Sequence, residues 1–124
     1  MIAADTSSLI AYFSGASGAD VEQVNTALAA GQLRISPIVL TELLSDAQSA
    51  KVLEPIVVDW QRLELAEGYW VRAAHTRAHL MKLKVRVKLP DTLIAQSCID
   101  HDVSLITRDE DFRHFAKHCG LKLA

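Results

Sequence analysis

Short apolar segments that alternate with helical segments constrain the fold of this chain more than any other feature. The segments expected to be strands are brief and largely apolar, as is typical of strands buried on both faces. They cover residues 2–4, 33–35, 103–106 and 121–123, with residues 62–65 as a further candidate. Strands of this kind form a parallel sheet with helices on each side. The sequence therefore predicts an α/β fold, a three-layer α/β/α sandwich around a central, mostly parallel sheet.

Helices are predicted between these strands from capping residues and from the spacing of apolar side chains. They cover residues 6–13, 19–30, 37–50, 66–81, 91–100 and 109–118. The stretch 52–58 is ambiguous because Pro55 interrupts it, and a short helix or a turn fits it best. No repeat, linker or low-complexity tract divides the chain, so residues 1–124 are expected to form one domain.

Several classes of protein are disfavoured by composition. No apolar run approaches the roughly 18 residues that cross a bilayer. The amino terminus lacks the basic region of a signal peptide and reaches a charge at Asp5. We therefore expect a cytoplasmic protein without a membrane partner.

Charge is distributed unevenly along the chain. The net charge of −2 argues against a protein that holds nucleic acid by overall charge alone. Between Gly68 and Pro90, however, there is no Asp or Glu, and this segment holds six of the 13 Lys and Arg residues. Among these, Arg86 and Lys88 precede Asp91 and are our candidates for contacts with RNA phosphates. A solvated basic face explains the segment equally well.

Two acids lie just beyond predicted strands. Asp5 comes after strand 2–4, and Asp109 lies three residues beyond strand 103–106. Because sites in parallel sheets form at the carboxyl ends of strands, both acids are expected at the same edge of the sheet. Taken singly, each also has a structural explanation as a helix N-cap.

Asp5, Glu42 and Asp91 share an unusually apolar sequence context. An isolated carboxylate is costly in such surroundings, and several held together repel one another. A divalent cation would neutralise them, and oxygen-only ligands favour Mg²⁺ or Mn²⁺ over zinc. Such a centre can activate water for hydrolysis of a phosphodiester. Alternatively, Glu42 is a surface charge, and Asp91 interacts with the helix dipole.

Four segments resemble the four motifs of PIN domains, in order and with typical spacing over essentially the whole chain. They are residues 2–9, 36–43, 89–95 and 105–112. Each motif alone is weak, whereas four in register are specific. The resemblance implies a PIN-like α/β/α sandwich with metal-dependent endoribonuclease activity.

The resemblance also implies residue roles. The acidic quartet that would bind Mg²⁺ or Mn²⁺ and carry out catalysis is Asp5, Glu42, Asp91 and Asp109. The groups that would orient these carboxylates or bound water are Thr6, Ser7, Thr107 and Asp111. Asp111 either supports the site or caps a helix, and Asp109 is favoured as the ligand because it lies nearer the strand end.

In length and layout the chain is most similar to VapC-type toxins of toxin–antitoxin pairs. That similarity implies a cognate antitoxin protein, an RNA substrate and a homodimer. A PIN nuclease of RNA processing without an antitoxin, or a catalytically silent PIN-like RNA-binding module, remain alternatives. A phospho-acceptor domain fits poorly, because no second acid lies two residues after Asp5.

Overall fold

The computed structural model describes residues 1–124, and its centre is a parallel sheet of four short strands. They are β1 (Ile2–Ala4), β2 (Leu33–Arg34), β3 (Ser104–Ile106) and β4 (Lys122–Leu123). The strand order is β2-β1-β3-β4, and every pairing is parallel. Because β1 and β3 are neighbours, the residues that follow their carboxyl ends meet at one edge. The α/β fold with a parallel sheet is confirmed.

Seven α-helices surround the sheet and complete the α/β/α arrangement. They are α1 (Thr6–Phe13), α2 (Ala19–Ala29), α3 (Pro37–Leu43), α4 (Ala47–Val57), α5 (Tyr69–Lys82), α6 (Leu89–His101) and α7 (Arg113–Cys119). Helix α1 packs against α2 and α3, α3 packs against α6, and α5 packs along α6. None of the helices is long and apolar enough to span a membrane.

The predicted helix over residues 37–50 is wrong. Helix α3 ends at Leu43, and α4 begins at Ala47 because the Asp46 side chain accepts the Gln48 N–H at 3.3 Å. An Asp in this position competes with helix continuation by capping a new helix. Helix α4 then includes residues 52–57 of the ambiguous stretch, with Pro55 in its last turn.

The candidate strand over residues 62–65 is also wrong. Only one bridge forms there, between Ile35 and Arg62, so the segment pairs briefly with the chain that follows β2. The helix predicted from residue 109 instead opens as a 3₁₀ turn, Glu110–Phe112, before α7. This turn carries Asp111 and places it close to the sheet edge.

The core lies between the sheet and the helices and is mainly aliphatic, as the composition suggests. Its largest fully buried side chains nevertheless include three aromatic ones, Tyr69, Phe112 and Phe115. The neighbouring Trp70 is 61% exposed on α5. Burial of Phe112 and Phe115 fixes the start of α7 against the sheet, which in turn positions the acids just before it.

Candidate active site

Asp5 lies immediately beyond β1 and is nearly inaccessible, with 3% of its surface exposed. Its Oδ1 caps α1 by accepting the Ser8 N–H at 3.3 Å, and it also accepts the Ser7 hydroxyl at 2.8 Å. Burial raises the pKa of the Asp5 carboxyl, and the negative charge of Asp109 adds to that increase. The N-cap interpretation is therefore correct, yet the cap sits in an environment that disfavours its charge.

Three further carboxylates converge near the ends of β1 and β3. Asp91, in the first turn of α6, and Asp109 and Asp111, around the 3₁₀ turn, each offer an oxygen atom within 4.8 Å of the other two. Burial and the charges of Asp109, Asp111 and Glu42 raise the pKa of Asp91 to about 6, although Lys88 opposes them. The structure thus brings together groups that repel one another unless a cation lies between them.

Glu42 projects from α3 towards the start of α1. The Thr6 hydroxyl donates a hydrogen bond of 2.6 Å to Glu42 Oε1, which fixes the orientation of this carboxylate. The charge of Glu42 contributes to the raised pKa of Asp91, but Glu42 does not join the three converging acids.

Two hydroxyl groups link the first strand end to the second. The oxygens of Ser7 and Thr107 lie 3.5 Å apart, and Thr107 Oγ1 accepts the Asp109 N–H at 3.0 Å. Asp109 in turn accepts the Asp111 N–H at 2.9 Å. These contacts hold the residues on both sides of Asp109 in a fixed turn.

The carboxylate set is chemically suited to a hard divalent cation. Oxygen is its only kind of ligand atom, and no His or Cys joins the converging group. The ionised acids would be stabilised by a cation and would together supply the charge that Mg²⁺ or Mn²⁺ requires. The donor set therefore fits such a metal.

The structure brings some of the predicted site residues together and leaves others outside the converging group. Asp91 and Asp109 come together as expected, and Asp111 joins them. Asp5 and Glu42 are not part of this converging group and interact with it electrostatically. Arg86 and Lys88 are exposed near Asp91, and the charge of Lys88 reaches its carboxyl.

Arg108 and Asp20 were not anticipated beside the site. Arg108 pairs with Asp20 from 88 positions away, at 2.8 Å between Nε and Oδ2. The one signal in the sequence was the position of Arg108 beside the predicted ligand Asp109.

Comparison with known proteins supports the same assignment of the fold. The family model described as PIN domain matches residues 2–118. No match was found among curated protein sequences.

Several solved structures share the fold across nearly their whole length. VapBC2 from Rickettsia felis, bound to a DNA fragment from its promoter, has a TM-score of 0.77 at 21% identity, covering 100% of this chain and 98% of that one. VapBC-1 from nontypeable Haemophilus influenzae has a TM-score of 0.77 at 21% identity, covering 100% and 97%. FitAcB from Neisseria gonorrhoeae has a TM-score of 0.72 at 17% identity, covering 99% and 96%.

Proposed function

This chain belongs to the PIN domain family, and from that premise we propose that it is a metal-dependent endoribonuclease that hydrolyses RNA phosphodiester bonds. The observation that carries the proposal is the convergence of Asp91, Asp109 and Asp111, with oxygen atoms within 4.8 Å. Buried Asp5 and hydrogen-bonded Glu42 stand beside them. Such a concentration of like charge is costly to the fold and is best explained by a function that needs it.

Asp5, Glu42, Asp91 and Asp109 would hold one or two Mg²⁺ or Mn²⁺ ions. A bound ion supplies activated water and stabilises negative charge on the phosphodiester. The hydroxyl groups that would keep the carboxylates in orientation are those of Thr6, Ser7 and Thr107. Asp111 is either a ligand or a supporting group, and its position among the converging acids favours a direct role.

The substrate would approach beside α6. Arg86 and Lys88 are exposed just before Asp91 and would bind phosphates of the RNA backbone. Neither residue forms an ion pair with a protein carboxylate, so both charges are free to meet a polyanion. Such contacts position RNA without reading its sequence.

We further propose that the nuclease is the toxin of a VapBC-like toxin–antitoxin pair. The similar structures include VapBC complexes, and their likeness extends over nearly all of both chains. Residues 1–124 would then be a single PIN domain that forms a homodimer, binds a cognate antitoxin protein and acts in the cytoplasm. An exposed apolar groove along α5 and α6, which includes Trp70 and Met81, is available for contact with a second copy.

Replacement of one buried acid tests the nuclease. Asp5→Asn keeps the size of the side chain and removes its charge, so Mn²⁺-dependent cleavage of RNA should fall to background while the circular dichroism spectrum is retained. Asp59→Asn is the matched control, because Asp59 is exposed and lies in another part of the chain. Cleavage by the Asp5 variant at the parental rate would show that the assigned site is wrong.

The toxin proposal needs a separate experiment. Expression of the parent chain alone should arrest bacterial growth, and expression of the Asp5→Asn variant should not. A small protein encoded next to this chain should relieve the arrest when it is co-expressed. Normal growth with a chain that cleaves RNA in vitro would favour a nuclease of RNA processing instead.

A further inference from the structure

Arg108 occupies the turn between Thr107 and Asp109, but its side chain crosses to a different part of the fold. Its Nε lies 2.8 Å from Asp20 Oδ2, and its Nη2 lies 2.9 Å from Asp20 Oδ1. This two-pronged geometry is the strongest form of an arginine–carboxylate pair and defines direction as well as distance. The turn that carries Asp109 is thereby tied to the first turn of α2.

Asp20 extends the connection to α1. The Ser8 hydroxyl, which is fully buried, donates to Asp20 Oδ2 at 2.9 Å. The backbone N–H of the same residue donates to Asp5 Oδ1. Hydrogen bonds therefore join Arg108 to Asp20, Asp20 to the Ser8 side chain, and the Ser8 backbone to the buried acid Asp5.

The loop before α2 is shaped around this ion pair. Gly18 has a φ of +145°, and a Cβ built there would lie 2.7 Å from Asp20 Oδ1 and 3.0 Å from Arg108 Nη2. The Ser17 carbonyl oxygen accepts a hydrogen bond of 3.1 Å from the same Nη2. A larger residue at Gly18 would force the pair to shift. Glycine therefore provides the space in which Arg108 and Asp20 pair.

A second connection runs through the backbone of the turn. The Arg108 N–H donates to Ser7 Oγ at 3.4 Å, and Ser7 Oγ donates to Asp5 Oδ1 at 2.8 Å. Both the side chain and the main chain of Arg108 therefore lead to Asp5. From these two routes we propose that Arg108 is a positioning residue, which with Asp20 holds Asp109 in register with Asp5 for metal binding. This inference rests on the proposed function.

Direct binding of RNA by Arg108 is the competing role. Its Nε and Nη2 are committed to Asp20 and Ser17, and the charge of the guanidinium is already matched by a carboxylate. Arg86 and Lys88, in contrast, form no ion pair with a protein carboxylate. The geometry thus favours a role through Asp109 over contact with substrate.

The decisive variant is Arg108→Met, which keeps the aliphatic stem and removes the guanidinium. Titration of the RNA-free chain with Mn²⁺ should give a Kd about 10-fold higher than that of the parent, the size of effect seen when groups that orient metal ligands are lost. The kcat for RNA cleavage should fall in parallel, with KM little changed. Arg113→Met is the matched control, since Arg113 is 67% exposed and pairs only with Glu110 nearby.

Asp20→Asn is the second variant to be tested in the same titration. It should weaken Mn²⁺ binding in the same direction, and the double variant should be no worse than Arg108→Met alone, because both changes break one connection. Arg108→Lys keeps the charge without the two-pronged geometry and should recover only part of the parental affinity. Circular dichroism confirms in each case that the chain is folded.

Three results would overturn the inference. The first is a parental Mn²⁺ Kd in Arg108→Met, and the second is a rise in KM alone, which would make Arg108 an RNA contact. If the parent itself binds no Mn²⁺, the proposed function is wrong, but positioning can still be tested by NMR of the metal-free chain. The amide signals of Ser7 and Ser8, which are distant from Arg108 in the sequence, should shift in Arg108→Met and not in Arg113→Met. Unchanged signals are the third overturning result.

Discussion

Thr6 Oγ1 donates a hydrogen bond of 2.6 Å to Glu42 Oε1 across 36 residues of sequence. The bond joins the first residue of α1 to the sixth residue of α3. Helix α1 begins just after Asp5, so the same turn of chain that holds Asp5 also orients Glu42. Two carboxylates from distant segments therefore depend on one helix start for their relative position.

Loss of the Thr6 hydroxyl should weaken metal binding without unfolding the chain. Thr6→Val preserves shape but leaves Glu42 Oε1 without this donor. We expect the Mn²⁺ Kd to rise roughly 10-fold, as is typical for loss of a group that orients a ligand. Isothermal titration calorimetry measures the change, and Thr6→Ser, which retains a hydroxyl, is the control. Equal affinities for Thr6→Val and Thr6→Ser would show that the bond has no part in metal binding.

Removal of the Asp91 charge should stabilise the metal-free chain. Burial and the neighbouring acids Asp109, Asp111 and Glu42 raise the pKa of Asp91 to about 6. At pH 7 the carboxylate is still mostly ionised, and its charge therefore destabilises the folded state relative to the unfolded one. Asp91→Asn should therefore increase the free energy of unfolding by roughly 1 kcal/mol, a value discounted because the side chain is only half-buried.

Thermal melts of Asp91→Asn with and without Mn²⁺ test this expectation. Without metal, its Tm should exceed that of the parent. With excess Mn²⁺, the Tm of the parent should rise and that of Asp91→Asn should change little, because a ligand stabilises only the fold that binds it. A lower Tm for the metal-free variant would contradict the proposed repulsion.

The position of the acids could be inferred from sequence because it follows from local rules. Asp5 and Asp109 come after short apolar segments, and adjacent parallel strands bring their ends to one edge. The position of Asp111 was harder to predict. An α-helix starting at residue 109 would have placed Asp111 differently, whereas the observed 3₁₀ turn carries it to within reach of Asp91.

Contacts between distant segments could not be inferred in the same way. The pairing of Arg108 with Asp20 depends on how the loop before α2 packs beside the residues that follow β3. No local sequence pattern predicts this packing. The prediction of one helix over residues 37–50 was wrong for a different reason. The helical spacing of apolar residues continues across residues 44–46. The helix is divided in two where the Asp46 side chain accepts the Gln48 N–H and caps α4.

The Tyr69 hydroxyl should contribute to stability but not to catalysis. Tyr69 is 1% exposed on α5, and its hydroxyl donates to the Leu93 carbonyl oxygen on α6. Tyr69→Phe should lower the free energy of unfolding by about 1 kcal/mol, the usual net value of such a bond. Urea denaturation measures the loss, with Tyr12→Phe as a control because Tyr12 is only partly buried. A reduced kcat in Tyr69→Phe would contradict this separation from the site.

A second link between α5 and α6 is built around Asp100. Arg72 Nη2 lies 2.6 Å from Asp100 Oδ2, and Gln96 Nε2 donates to Asp100 Oδ1 at 2.9 Å. The hydrogen bonds from Arg72, together with that from Gln96, hold the pKa of Asp100 below its ordinary value of 3.8. All three residues lie outside the acidic site, so their effect on stability can be measured separately from metal binding.

The stabilisation by Asp100 should therefore disappear in acid. A carboxyl with a lowered folded-state pKa stabilises the fold above its unfolded pKa, and this contribution is lost as the pH falls through the folded value. At pH 7 we expect Asp100→Asn to melt several degrees below the parent. The difference in Tm should narrow as the pH falls below about 4. Asp59→Asn should show no comparable difference in Tm from the parent at any pH, because Asp59 is exposed and forms no ion pair. A gap that stays constant from pH 7 to pH 3 would mean that the Asp100 charge is not what stabilises the contact between α5 and α6.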